Sequence, residues 1–268
     1  MKKALALSLA LVLLSAGLCP ADDAKGGPAA PPWPDPDRLT YGEIRFSPPK
    51  PERVVLENGL TLYTLEDREL PLVQVSFIVG AGSVFEPEGK AGLAELTGDA
   101  MRTGGAGKLG GDQVDEQLEY LAAPVSVNLG MEYGTGSLSV LKKDLEKAFG
   151  IFADILRRPA FEEAKVEQAR NLKIEELRRV FDQPQRLAFR EYRRVLYAGN
   201  PRGRLPEIAT IASIGREDVA AFHRAHFFPR NLRIAITGDL SKEEALALVE
   251  RHFGDWDDEG DFGTAPHP

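Results

Sequence analysis

An α+β domain on a largely antiparallel or mixed sheet is the architecture this sequence predicts. Its strand-like runs arrive in hairpin pairs, its helical patterns follow one another directly, and the two kinds of segment do not alternate as strict β-α-β units would. The first pair lies in "RVVLENGLTLYTLED", where two apolar runs flank Asn58-Gly59, a strong hairpin signal. "LPLVQVSFIVGAGS" follows as a strand rich in β-branched residues and closes in a glycine turn. Helical periodicity then covers about 90–102 and 111–122, and "APVSVNLG" with "YGTGSLSVL" reads as a second strand pair. A helix-rich stretch runs from Lys142 to about Tyr197, broken at Pro159 and Pro184. "GREDVAAFHRAHF" is helical, "NLRIAITGD" is a strand, and "SKEEALALVERHF" is a helix that Ser241 and Glu244 open as a capping box. The strands, with their period-two or continuous apolar patterns, are expected to share one sheet within a domain spanning 41–257.

The two ends differ in character from this domain. Residues 1–21 have the pattern of a signal peptide: Lys2 and Lys3, an apolar run too short for a comfortable span, and Ala21 as a cleavage site. Cys19 lies here, but Ala16-Gly17-Leu18 is the wrong order for a lipobox, so export to the periplasm without a lipid anchor is expected. Residues 22–40 are a Pro/Gly-rich leader, and 258–268 form a linker-like tail. Cys19 is the only cysteine, so a chain cut after Ala21 has neither a disulfide framework nor a thiolate metal site. Losing Lys2 and Lys3 takes the net charge from -8 to -10, and no basic run offers itself to phosphates. A nucleic-acid partner is excluded on that ground.

The helix within "GLAELTGDAMRTGG" carries the first candidate site. Glu95, Asp99 and Arg102 share one face at spacings of four and three. Two acids one turn apart repel, so something must compensate: Arg102, or a bound cation. In "KVEQARNLKIEELRRVF", Gln168, Asn171, Glu175, Arg178 and Arg179 form a polar face. Glu176 aligns instead with Ala169, Leu172 and Val180, on a side expected to be buried. A carboxylate there needs hydrogen bonds, a counter-charge or a metal, unless it stands at the edge of the stripe and reaches out to water. The histidines, His223, His226, His252 and His267, form no metal pair; His223 and His226 are expected on a surface or partner-facing side of their helix. "GGAGKLGG" lacks the Gly-Lys-Ser/Thr ending of a phosphate loop.

Taken together, "LENGLTLYTLED", "VSFIVGAGSVFEPEGKAGLAEL", "LSVLKKDLEKAFGIFADILRRPAF", "ARNLKIEELRRVFDQP" and "REDVAAFHRAHFFPRNLRIAITGDL" with "VERHFGDW" resemble the pitrilysin/insulinase family of zinc peptidases, which includes the mitochondrial processing peptidase subunits. The resemblance covers about Pro51 to Trp256. It implies a metalloprotease-type roll, a curved sheet with helices mainly on one side. Active members carry H-x-x-E-H, two zinc-binding histidines around a general-base glutamate, with a distant glutamate completing the shell. On this chain the resemblance puts Glu95 and Asp99 at the histidine positions, Gly98 at the base and Glu176 at the third ligand. It thus implies a non-catalytic member with a degenerate motif, needing no cofactor. Its expected partner is a homologous peptidase half with intact H-x-x-E-H, whether a separate chain or a continuation of the same gene, and unfolded peptides are possible ligands. Two other readings stay open: an active metallopeptidase holding zinc or another divalent cation on Glu95, Asp99 and Glu176, and a stand-alone periplasmic peptide-binding or scaffold protein.

Overall fold

The computed structural model describes residues 39–43, 47–257 and 260. The proposed signal peptide with Cys19, nearly all of the leader and most of the tail therefore lie outside the described residues. The chain divides into two units, Met1–Pro48 and Pro49–Pro268. The few described residues of the first have no regular secondary structure. No described helix is long and apolar enough to cross a membrane.

The second unit is built on six strands: β1 (Glu52–Val55), β2 (Thr61–Glu66), β3 (Leu72–Val79), β4 (Val125–Leu129), β5 (Gly134–Leu141) and β6 (Leu232–Gly238). They form one sheet in the order β1-β2-β6-β3-β5-β4, so all the strand-like runs of the sequence do share a sheet. Every pairing is antiparallel except β2 with β6, which is parallel. The Asn58-Gly59 hairpin joins β1 to β2 through a loop in which Leu56 and Leu60 exchange a backbone bond. Asn58 Nδ2 reaches the carbonyls of Phe253 at 2.7 Å and Trp256 at 3.2 Å, tying the hairpin to the far end of the chain.

Eight helices accompany the sheet among the described residues: α1 (Leu93–Thr103), α2 (Gly111–Tyr120), α3 (Leu145–Arg157), α4 (Glu163–Val180), α5 (Pro184–Leu196), α6 (Ile208–Ala212), α7 (Arg216–His226) and α8 (Lys242–Phe253). The two proline breaks hold: α3 ends before Pro159, and Pro184 opens α5, where its missing N–H is no loss. Ser241 and Glu244 exchange the side-chain-to-backbone bonds of a capping box at α8.

Burial alternates along β3: Val73, Val75, Phe77 and Val79 are inside, while Leu72, Gln74, Ser76 and Ile78 face out. The sheet is therefore covered on one face only. Phe77, Phe149, Phe152, Phe253, Leu62 and Ile234 form the centre of the core between that face and the helices. His223 belongs to this interior, which corrects the surface role expected for it. Its Nε2 donates to the Leu156 carbonyl at 2.9 Å, and its ring stacks on Phe227. An imidazole is apolar enough to be buried once its one N–H is satisfied.

Candidate functional site

Helix α1 is held in place by its neighbours rather than by its own cap. Gly92 at its N-cap has φ 98°, and an added Cβ there would lie 2.3 Å from Ile211 Cδ1. No side chain of the cap residue satisfies the first amides. Glu86 does so instead, its Oε1 accepting from the backbone N–H of Gly92 at 3.1 Å and of Ala94 at 2.8 Å. Glu86 is buried, and that burial pushes its pKa up to about 7 in spite of the two amides. In the middle of α1, Gly98 lets the helix approach β4: a Cβ there would lie 3.3 Å from both the backbone nitrogen and Cγ of Leu129.

α1 packs beside α4, and this contact gathers the acidic positions. Lys173 rises from α4 between them. Its Nζ donates to Glu95 Oε1 and, at 2.9 Å, to Glu176 Oε2. The lysine side chain is 10% exposed, against 47% for Glu95 and 51% for Glu176. Burial opposes the ammonium, but the bonds to Glu95 and Glu176 and the attraction of both carboxylates outweigh it and hold the pKa above the ordinary lysine value. Arg186 stands 3.8 Å from the other oxygen of Glu176. Asp99, one turn along α1, makes no ion pair among the described residues. Water reaches its side chain, yet much of its surroundings is protein. That desolvation, then the charge of Glu95, raises its pKa, with Lys173 acting in the opposite sense.

Two expectations are corrected here. Arg102 does not neutralise the acidic pair: its NH1 binds Asp115 at 2.5 Å and its Nε the Val125 carbonyl at 2.9 Å. Those groups lie under the C-terminal turn of α1 and claim the guanidinium first. Nor does Glu176 lie on a buried stripe. Val166, Lys173 and Leu177 form the inner face of α4, while Leu172 and Glu176 are exposed. The apolar residues Ala169, Leu172 and Val180 suggested the wrong phase because α4 leaves part of its apolar surface uncovered. Lys173 could have been found from its place in the other phase, seven residues after Val166 and four before Leu177. Glu86 offered no comparable signal.

Clefts flank the acidic cluster. One, of about 380 Å³, is lined by Asp99, Thr103, Lys165, Gln168, Lys173 and Glu176. Another, of about 350 Å³, borders Glu95 and includes Glu86, Met131, Arg193, Arg204 and Pro206. No imidazole stands in either. Among the described residues, no three His, Cys, Asp or Glu side chains converge as a metal shell.

The comparisons with known proteins agree with this architecture. The family model for insulinase (peptidase family M16) matches residues 63–205, and the model described as the peptidase M16 inactive domain matches 213–268. The chain is 27% identical over 215 residues to the mitochondrial-processing peptidase subunit beta of Bos taurus, covering 80% of this chain and 44% of that one. It is 26% identical over 200 residues to an uncharacterized zinc protease of Rickettsia bellii, covering 74% and 48%. Among solved structures it is similar to a peptidase M16 inactive domain from Pseudomonas fluorescens, with TM-score 0.76 at 23% identity, covering 82% of this chain and 54% of that one. The periplasmic protease PqqL from Escherichia coli superposes with TM-score 0.72 at 20% identity, covering 82% and 25%. The chain thus spans about half, or less, of the length of these relatives. With a matching family model over more than half of its residues, on an α+β fold shared with solved M16 structures, the chain belongs to the insulinase family of peptidases, M16.

Proposed function

We propose that this chain is a non-catalytic half of an M16-type peptidase assembly. It supplies part of the wall of a substrate chamber and docks against a homologous half that carries intact H-x-x-E-H. The observation that carries this reading is Gly98. The position that the family gives to the general base has no side chain and is pressed against β4, so no group on α1 there takes a proton from water. Glu95 and Asp99 stand where the family has imidazoles, and oxygen donors suit harder cations than zinc. This residue set does not fit a catalytic zinc ion.

The docking part of the proposal draws on α5. None of its residues is buried, and its exposed side carries Phe189, Tyr192, Val195 and Leu196 at helical spacing. Arg190 and Arg193 turn inward, to the Pro206 and Arg202 carbonyls. A surface helix that points its apolar stripe outward is matched to a protein that covers it. The half-length match to its relatives makes a second M16 half the fitting occupant. Export to the periplasm, following the pattern at Lys2 and Lys3 and the likeness to a periplasmic protease, completes the reading.

The test uses the purified chain alone and with a homologous half of intact motif. Metal content is read by mass spectrometry, hydrolysis of unstructured peptides with and without chelator, and association by light scattering. The expected result is no chelator-sensitive cleavage by this chain alone and a one-to-one complex with the other half. Chelator-sensitive cleavage by this chain alone would overturn the proposal.

A further inference from the structure

We infer that Lys173 is a built-in counter-ion occupying the cation position between Glu95 and Glu176, and that it excludes a divalent metal independently of the missing histidines. The inference deepens the proposed function and rests on it. A lysine three residues before a glutamate on an exposed helix swings freely in water and contributes little. Lys173 is different: its side chain is 10% exposed, so its stem is fixed by packing between α1 and α4. Its ammonium also spans two helices, binding Glu176 on its own helix and Glu95 at a sequence separation of 78.

Charge makes the consequence specific. Glu95, Asp99 and Glu176 carry three negative charges toward this region, and Lys173 returns one positive charge at the oxygens a metal would use. A divalent ion bound to those oxygens would sit within a few ångströms of the ammonium, where like charges repel strongly. Moving the ammonium aside would pull a buried stem out of its packing between α1 and α4. Replacing Glu95 and Asp99 by histidines therefore does not rebuild the shell. The resident ammonium would still hold Glu176, and it would face the metal directly.

The experiment compares full-length chains with E95H/D99H and with E95H/D99H/K173M. Methionine keeps the length of the stem and removes the charge. Zinc affinity is measured by competition with a chromophoric chelator, and folding by circular dichroism with chelator present. Removing the ammonium is expected to tighten zinc binding by about 100-fold or more, in the range such short-range repulsion implies. E95H/D99H/K173R should bind as weakly as E95H/D99H. If the methionine variant is unfolded, E95H/D99H/K173Q takes its place, since the amide retains a donor for Glu176 without charge. Equal zinc affinity with and without the ammonium overturns the inference and leaves the proposed function standing. Chelator-sensitive cleavage by the unsubstituted chain overturns the proposed function instead.

Discussion

Glu86 and His223 titrate against each other. Glu86 has its folded pKa raised to about 7 from 4.5, because burial disfavours its charge. Folded protein binds the proton more tightly there, so this group favours stability at low pH and costs about 3 kcal/mol once the pH has risen from about 4.5 through 7. Burial lowers His223 to about 4 from 6.5. Its neutral form is the folded one, so stability is lost as the pH falls from about 6.5 towards 4, by a similar amount of about 3 kcal/mol. Between about pH 4.5 and 6.5 the two slopes oppose. Glu86→Gln keeps an acceptor for the amides of Gly92 and Ala94 but removes one slope. The variant should melt higher than the native chain at pH 8, by about 1–2 kcal/mol after allowing for a weaker acceptor. Its stability should also fall more steeply on acidification from pH 6.5. Melting curves that keep the native pH profile would show that Glu86 is not a titrating group of the fold. Neither residue's role was legible in the sequence. Glu86 is separated from the amides it caps by a turn whose path no periodicity encodes, and the environment of His223 depends on α3, which lies some 70 residues away.

At the scale of elements, α3 and α5 are the instructive pair, because both have 13 residues and they use them in opposite ways. Eight residues of α3 are buried, Phe149 and Phe152 among them, while α5 buries none. Phe152→Ala should cost about 3–5 kcal/mol, as loss of a large core side chain does. Phe189→Ser with Val195→Ser should change stability by no more than about 1 kcal/mol, since exposed positions are usually neutral. The same pair of serines should abolish association with a homologous half. Chemical denaturation and light scattering check both statements; a large loss of stability in the α5 variant would mean that the stripe packs on its own domain. Periodicity marked each strand and most helix limits because these are local properties of the chain. It misjudged the face of α4, where apolar Leu172 lies outside and charged Lys173 inside. Hydrophobicity assigns a buried side only when the domain buries all its apolar stripes, and α4 leaves Leu172 exposed.

On the scale of the whole molecule, the strand order carries a consequence that neither the sequence pattern nor the family models contain. The two family models meet between residues 205 and 213. β6 belongs to the second, yet it lies at the middle of the sheet, parallel to β2 and antiparallel to β3. The order of strands along the chain could not reveal this, because period-two patterning says which face of a strand is buried and nothing about its neighbours. Without β6, β1 and β2 lose contact with the rest of the sheet, and the facing edges of β2 and β3 lose their ladder partners. Leu232, Ile234, Ile236, Val249 and Phe253 are all buried. At about 1.5–3 kcal/mol for each such side chain, their burial contributes roughly 10 kcal/mol, comparable to the whole stability of a domain. A chain that ends at Ala212 should therefore show no cooperative melting transition, although α1, α3 and α4 are intact in its sequence. Adding a separate segment of residues 213–257 should restore the transition, because the missing piece is one strand with α7 and α8 rather than a domain. Thermal melts followed by circular dichroism, for the shortened chain alone and mixed with the segment, decide the matter. A sigmoidal transition in the shortened chain alone would show that the first five strands form a sheet without β6, and that the boundary between the family models is also a boundary of folding.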